Sequence, residues 1–116
     1  MESLIEQELK YFGSDDQRRA FRAVYGSLSN CVESWQYGQE MHICTIVAAD
    51  EKTQIVFCPT GFGPSFPWGV QRIGQTDLGM DDSWHAYLYE AFVCSTIWPH
   101  DPPTGFMQMG PSERRP

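Results

Sequence analysis

The stretch from Met41 to Cys58, MHICTIVAADEKTQIVFC, constrains this chain more than any other, because it is apolar on both faces. MHICTIVAA and TQIVFC are rich in β-branched residues and flank DEK, a polar loop of hairpin length. Read as strands, one face carries Ile43, Thr45, Val47, Ile55 and Phe57. The other carries His42, Cys44, Ile46, Ala48, Val56 and Cys58. An antiparallel sheet with one wet face alternates apolar and polar residues cleanly. This hairpin therefore needs cover on both faces, from helices or from another subunit.

The chain on either side can supply helices. Ser3 and Glu6 read as a capping box, followed by an apolar stripe at Leu4, Ile5, Leu9 and Phe12 that Gly13 is placed to end. Ser14 and Gln17 form a second capping signal before Ala20, Phe21, Val24 and Leu28. From Asn30 the period changes, and CVESWQY reads as a strand, as does WGVQRI further on. Near the C-terminus, Trp84, Tyr87, Leu88, Ala91 and Phe92 repeat at helical spacing, with Asp81, Asp82 or Ser83 as the cap and Pro99 as the stop. The fold class expected is α+β: a short antiparallel meander of three to four strands, two N-terminal helices and one C-terminal helix packed against it. Residues 1–100 read as a single domain, and 101–116 as an irregular tail rich in Pro and Gly.

Between the third and fourth strands lies CPTGFGPSFPWGVQ, Cys58 to Gln71. Its prolines remove backbone donors, no Lys follows, and the glycines lack the spacing of a phosphate cradle. Two readings stand. The stretch is a structured connection, with glycines permitting positive φ and prolines fixing it. Or it is a stiff recognition loop whose aromatic residues anchor a partner. On the second reading Phe62, Phe66 and Trp68 are the anchors. If Trp68 meets Trp84, a cleft forms with Asp82, His85 and Tyr87 at its edge, which is the first place to seek a small ligand.

Other chemistry is thinner. A loop at Asp50–Lys52 sets Cys44 opposite Cys58 with His42 on the same face, a set that could bind zinc or make a Cys–His nucleophile pair. A one-residue shift removes the pairing. The alternative is a packed apolar face with two buried thiols. No motif calls for a cofactor or metal. Arg18, Arg19 and Arg22 read as a solvated helix face.

The formal net charge of −7 disfavours phosphate backbones, so no nucleic acid is expected. It suits a basic protein partner. No membrane segment is seen, MESLIEQELKYF is not a signal peptide, and a cytoplasmic address with unpaired cysteines follows as the expectation.

The Gly-Pro-aromatic segment GFGPSFPWGV, followed by LGMDDSW and a helix ending in AFVCS, resembles a pattern in small uncharacterised proteins of integron gene cassettes and other mobile elements. The resemblance spans residues 54 to 98. It implies a bacterial, cytosolic accessory protein and assigns chemistry to no residue.

Together these readings favour a non-enzymatic protein-binding module, of immunity or inhibitor type, acting by occlusion of a basic partner or as a homodimer. The alternatives are a small-molecule binder with a cleft between the sheet and the last helix, and a small Cys/His or metal-dependent enzyme.

Overall fold

The computed structural model describes residues 2–34, 40–79 and 83–98, with backbone alone at 27 and 28. The elements run α1 (Glu2–Leu9), α2 (Asp15–Val24), β1 (Tyr25–Ser34), β2 (Met41–Ala49), β3 (Thr53–Phe57), β4 (Trp68–Arg72), β5 (Trp84–His85) and α3 (Leu88–Val93). The strands make one antiparallel sheet in the order β1-β2-β3-β4-β5, a meander with one strand more than expected. The α+β class is as the sequence predicts. The 101–116 tail lies outside the described residues.

The first helices follow local rules in part. Helix α1 begins at Glu2, so Ser3 lies inside it rather than capping it. Ser14 does cap α2: its hydroxyl accepts from the Gln17 N–H at 3.2 Å, and the Gln17 side chain accepts from the Gly13 N–H at 2.7 Å. Arg18 joins the two helices. Its guanidinium donates to the Leu9 and Phe12 carbonyls at 2.9 and 3.1 Å and pairs with Asp15 at 2.7 Å. These carbonyls lie at the end of α1 and in the turn that follows it, where the chain has left helical bonding. Arg19 pairs with Asp16 and Arg22 with Glu6, so the basic cluster is neutralised by its neighbours.

The three helices cover one face of the sheet. Ile5, Leu9, Phe12, Phe21, Leu88, Ala91 and Phe92 pack there on Val47, Ile55 and Trp68. Phe12 ties them together, with ring centroids 5.7 Å from Phe21 and 5.1 Å from Phe92. A bulge between Ile46 and Ala48 sets Val47 and Ala48 against the same core, so Ala48 does not share the face of Ile46 and Cys44 as strict alternation requires.

No helix among the described residues covers the opposite face. Its cover is the β3–β4 connection and the segment after β4. Phe62, Phe66, Leu78 and Trp84 pack there over Cys31, Cys44, Ile46, Val56 and Cys58. The sheet curls around this second core. Ser34 at the end of β1 accepts from the Leu78 N–H at 2.9 Å and donates its own N–H to the Thr76 carbonyl at 3.1 Å. Gln71 of β4 consequently reaches Glu33 of β1, with Nε2 donating to Oε1 at 2.5 Å.

The last helix is shorter than its apolar stripe predicts. Trp84 and His85 pair with β4 instead, Gly69 opposite Trp84 and Trp68 opposite His85. Gly69 makes this possible. A Cβ at that position would sit 2.8 Å from Cζ2 of the Trp84 ring. The indole lies on the bare glycine and donates Nε1–H to the Leu78 carbonyl at 2.7 Å. Tertiary packing overrides helical periodicity here.

Candidate functional site

Register separates the residues that the sequence suggests as one cleft. Trp68 and Trp84 sit one step apart on paired strands, so their side chains point to opposite faces. Trp68 is 1% exposed in the helix-side core, its ring 4.8 Å from Phe57. Trp84 is fully buried in the second core, 5.7 Å from Phe62, with Phe66 in the same cluster. His85 is buried and shares the face of Trp68. Tyr87 is half-buried and packs on Tyr11 at 4.9 Å. Asp82 lies outside the described residues. The two indoles therefore do not meet over the Gly-Pro loop, and neither offers a ring to a visitor. The space between the sheet and α3 is filled by Leu88, Ala91, Phe92 and Val93.

The loop holds its rings inward for identifiable reasons. Gly63 takes φ +91°, closed to most side chains. Gly61 lies so close to Leu78 that a Cβ would approach its Cδ1 to 3.1 Å. The Cys58 N–H donates to the Pro67 carbonyl at 2.8 Å and clamps the loop ends together.

Beneath the loop the second core is chemically dense. Beyond the bulge the β2–β3 register is the one the hairpin loop predicts, Thr45 opposite Phe57, which carries on to Cys44 opposite Cys58. Cys31 pairs across β1–β2 with Cys44, and Glu33 with His42. Cys44 and Cys58 are fully buried, and the Cys44 thiol lies 3.9 Å from the His42 carbonyl. Cys58 is the thiolate-favouring member. Its pKa is lowered by the Cys44 thiol, then by the Thr60 hydroxyl and the backbone N–H groups of Thr60 and Gly61. Cys44 is pushed strongly up by the neighbouring Cys58 and by burial. His42 Nδ1 lies 2.9 Å from the Thr60 hydroxyl, whose oxygen is 3.8 Å from Cys58 Sγ. Burial raises the Glu33 pKa against the bonds from Gln71 and Cys31. Among the described residues no group of three or more His, Cys, Asp or Glu could hold a metal ion.

A third feature lies on the helix-side face. The helices cover only the half around Val47 and Ile55. At the other half Val32 and Ile43, cross-strand partners, are 55% and 68% exposed, and Met41, opposite Ser34, is 62% exposed. Next to them a cleft of about 190 Å³ opens between α1 and the loop, lined by Leu4, Glu8, Phe57, Pro59, Pro64, Pro67 and Trp68. Only a sliver of the Trp68 ring reaches its floor. Glu8 is held there by the Leu88 N–H, which donates to Oε1 at 2.9 Å. The open apolar corner escapes a sequence reading, because Ile43 alternates like a core residue and helix coverage is a tertiary property. No helix among the described residues is long and apolar enough to cross a membrane. Comparison of the chain with protein-family models, with curated proteins and with solved structures finds no match in any of the three.

Proposed function

We propose that this protein is a binding module that recognises a basic protein segment through the open corner of its helix-side sheet face. The observation that carries this reading is the contiguity of Val32, Ile43 and Met41, each more than half exposed and adjacent on paired strands. Single exposed apolar side chains are ordinary, whereas a contiguous set on a sheet face is the mark of an interaction surface. The neighbouring cleft supports it. At about 190 Å³ it is small against the roughly 300–1,000 Å³ of small-molecule sites, and it suits one anchoring side chain. The net charge of −7 favours a partner bearing Lys and Arg, and Glu8 lines the neighbouring cleft. It also opposes association with a second copy. The module would then act by covering its partner, as an immunity-type or inhibitor-type protein does.

Selection from a random peptide library tests this. The peptides retained should carry basic residues beside an apolar anchor. Each fully buried Val or Ile is worth about 1.5–3 kcal/mol, so the double variant Val32→Asp/Ile43→Asp should bind them about a hundredfold more weakly, with its circular dichroism unchanged. Failure to enrich any basic peptide, or equal binding by the folded variant, would contradict the proposal. Sedimentation of the free protein as a dimer that the same variant dissolves would assign the corner to self-association instead.

A further inference from the structure

We propose that Cys58 and Cys44 form a peroxide-oxidisable dithiol, with Cys58 as the attacking sulfur and Cys44 as the resolving one. This is independent of the binding surface, which lies on the other face of the sheet.

The geometry is that of a cross-strand pair set for closure. The Cys58 N–H points to Pro67 and not to β2. Toward β2 it therefore occupies a non-hydrogen-bonded position, where facing Cα atoms come within about 4.5 Å. That falls inside the roughly 4.4–6.8 Å span that a disulfide bridges. Both sulfurs lie in the same buried cluster beneath the loop. Cys31, at the hydrogen-bonded position on the other side of Cys44, is worse placed: paired backbones there stand further apart.

The surroundings divide the labour between the two sulfurs. Cys58 sits at the start of a turn, and the backbone N–H groups of Thr60 and Gly61 lower its pKa. The Thr60 hydroxyl lies 3.8 Å from Sγ, and His42 Nδ1 lies 2.9 Å from that hydroxyl. Donors of this kind stabilise a thiolate, the nucleophilic form. Cys44 has no such donors and keeps its proton. The titratable groups facing Cys58 are Cys44 and His42 from β2 and Cys31 and Glu33 from β1, while β4 brings the uncharged Gln71. The cover over the sulfur is the loop itself: a Cβ on Gly61 would lie 3.4 Å from Cys58 Sγ and 3.1 Å from Leu78 Cδ1.

The oxidant is a hydroperoxide. The Cys58 thiolate attacks one peroxide oxygen, the O–O bond breaks, and the departing oxygen leaves as water after taking a proton. Cys58 becomes a sulfenic acid. The Cys44 sulfur then attacks Cys58 Sγ, the S–O bond breaks, and the hydroxyl leaves with the Cys44 proton as a second water. Two thiols lose two hydrogens in all, and the peroxide is reduced to water.

The test exposes the full chain to hydrogen peroxide under native conditions, alkylates the remaining thiols in denaturant and maps the peptides. The expected result is a mass lower by two hydrogens, a bridge between the peptides of Cys44 and Cys58, alkylated Cys31 and Cys94, and reversal by a thiol reductant. Cys44→Ser should stop at a Cys58 sulfenic acid that dimedone labels, while Cys58→Ser should leave Cys44 reduced. A bridge from Cys31 to Cys44, a link between chains through Cys94, or four intact thiols under peroxide that oxidises cysteine in a control peptide would each overturn the proposal. If a serine variant does not fold, the wild-type peptide map decides alone.

Discussion

Glu33 carries a carboxyl with no cationic partner among the described residues, held by Gln71 and the Cys31 thiol. Burial raises its pKa above the ordinary 4.5. The native state thus binds this proton more tightly than the unfolded chain does. The stability it contributes is full below 4.5 and is lost as pH rises through the raised native value. Glu33→Gln keeps an acceptor for Gln71 and removes the ionisation. Thermal melts across a pH series should show the variant more stable than the wild type at neutral and mildly alkaline pH, with the two converging in mild acid. Parallel curves would show that Glu33 titrates alike in the folded and unfolded chain, and would contradict the shift. Gly69 carries the other residue-level demand. A methyl group there meets the Trp84 ring, backed by Leu78 and Phe62, at 2.8 Å. Gly69→Ala should cost about 1–3 kcal/mol by overpacking, read as a lower denaturant midpoint at unchanged slope. An unchanged midpoint would mean that the indole moves aside freely.

Among the elements, α3 is the one whose existence depends most on the rest of the molecule. Its span, Leu88–Val93, is too short to persist alone. Its N-terminus is held from a distance: the buried Glu8 carboxylate of α1 accepts from the Leu88 N–H, and Glu90 accepts from the Tyr87 N–H at 3.1 Å. Removing the carboxylate with Glu8→Ala leaves that donor buried without its acceptor and should destabilise the fold by about 1–3 kcal/mol. Hydrogen exchange at Leu88 should accelerate more than at Val56. Equal acceleration would refute the specific link. Glu8 also shows where sequence reading ends. The hairpin of β2 and β3 and the cap at Ser14 follow from local period and turn chemistry. The facing of Cys44 and Cys58 does not follow from loop length alone: next to the turn Ala49 pairs with Gln54, one residue off, and the bulge at Val47 restores the register. A contact from residue 8 to residue 88 has no local signature. Nor has the β5 pairing, where Gly69 and Trp84 create a strand inside what looks like a helical stripe. For the same reason the Gly-Pro segment is legible as a structured connection between two strands, while the direction of its rings is not: Phe62 and Phe66 turn inward because Cys58, Leu78 and Trp84 offer a second core, assembled from β2, β3 and the segment after β4.

At the scale of the whole molecule, one curled sheet separates two cores of different character. Helices and aromatic rings fill one side, and thiols under a proline-braced loop fill the other. The helices stop short of one corner of their own face, and there the apolar pattern that drives folding is left facing solvent at Val32, Met41 and Ile43. Removing three such side chains from water is the free energy a partner would recover. Methyl resonances give the most direct test of that claim. On titrating the protein with a basic peptide retained in the selection, Val32, Ile43 and Met41 should shift together and saturate with one affinity, while Val56 beneath the loop stays still. Shifts confined to Val56 and the loop around Phe62 and Phe66, with the open corner silent, would contradict the account.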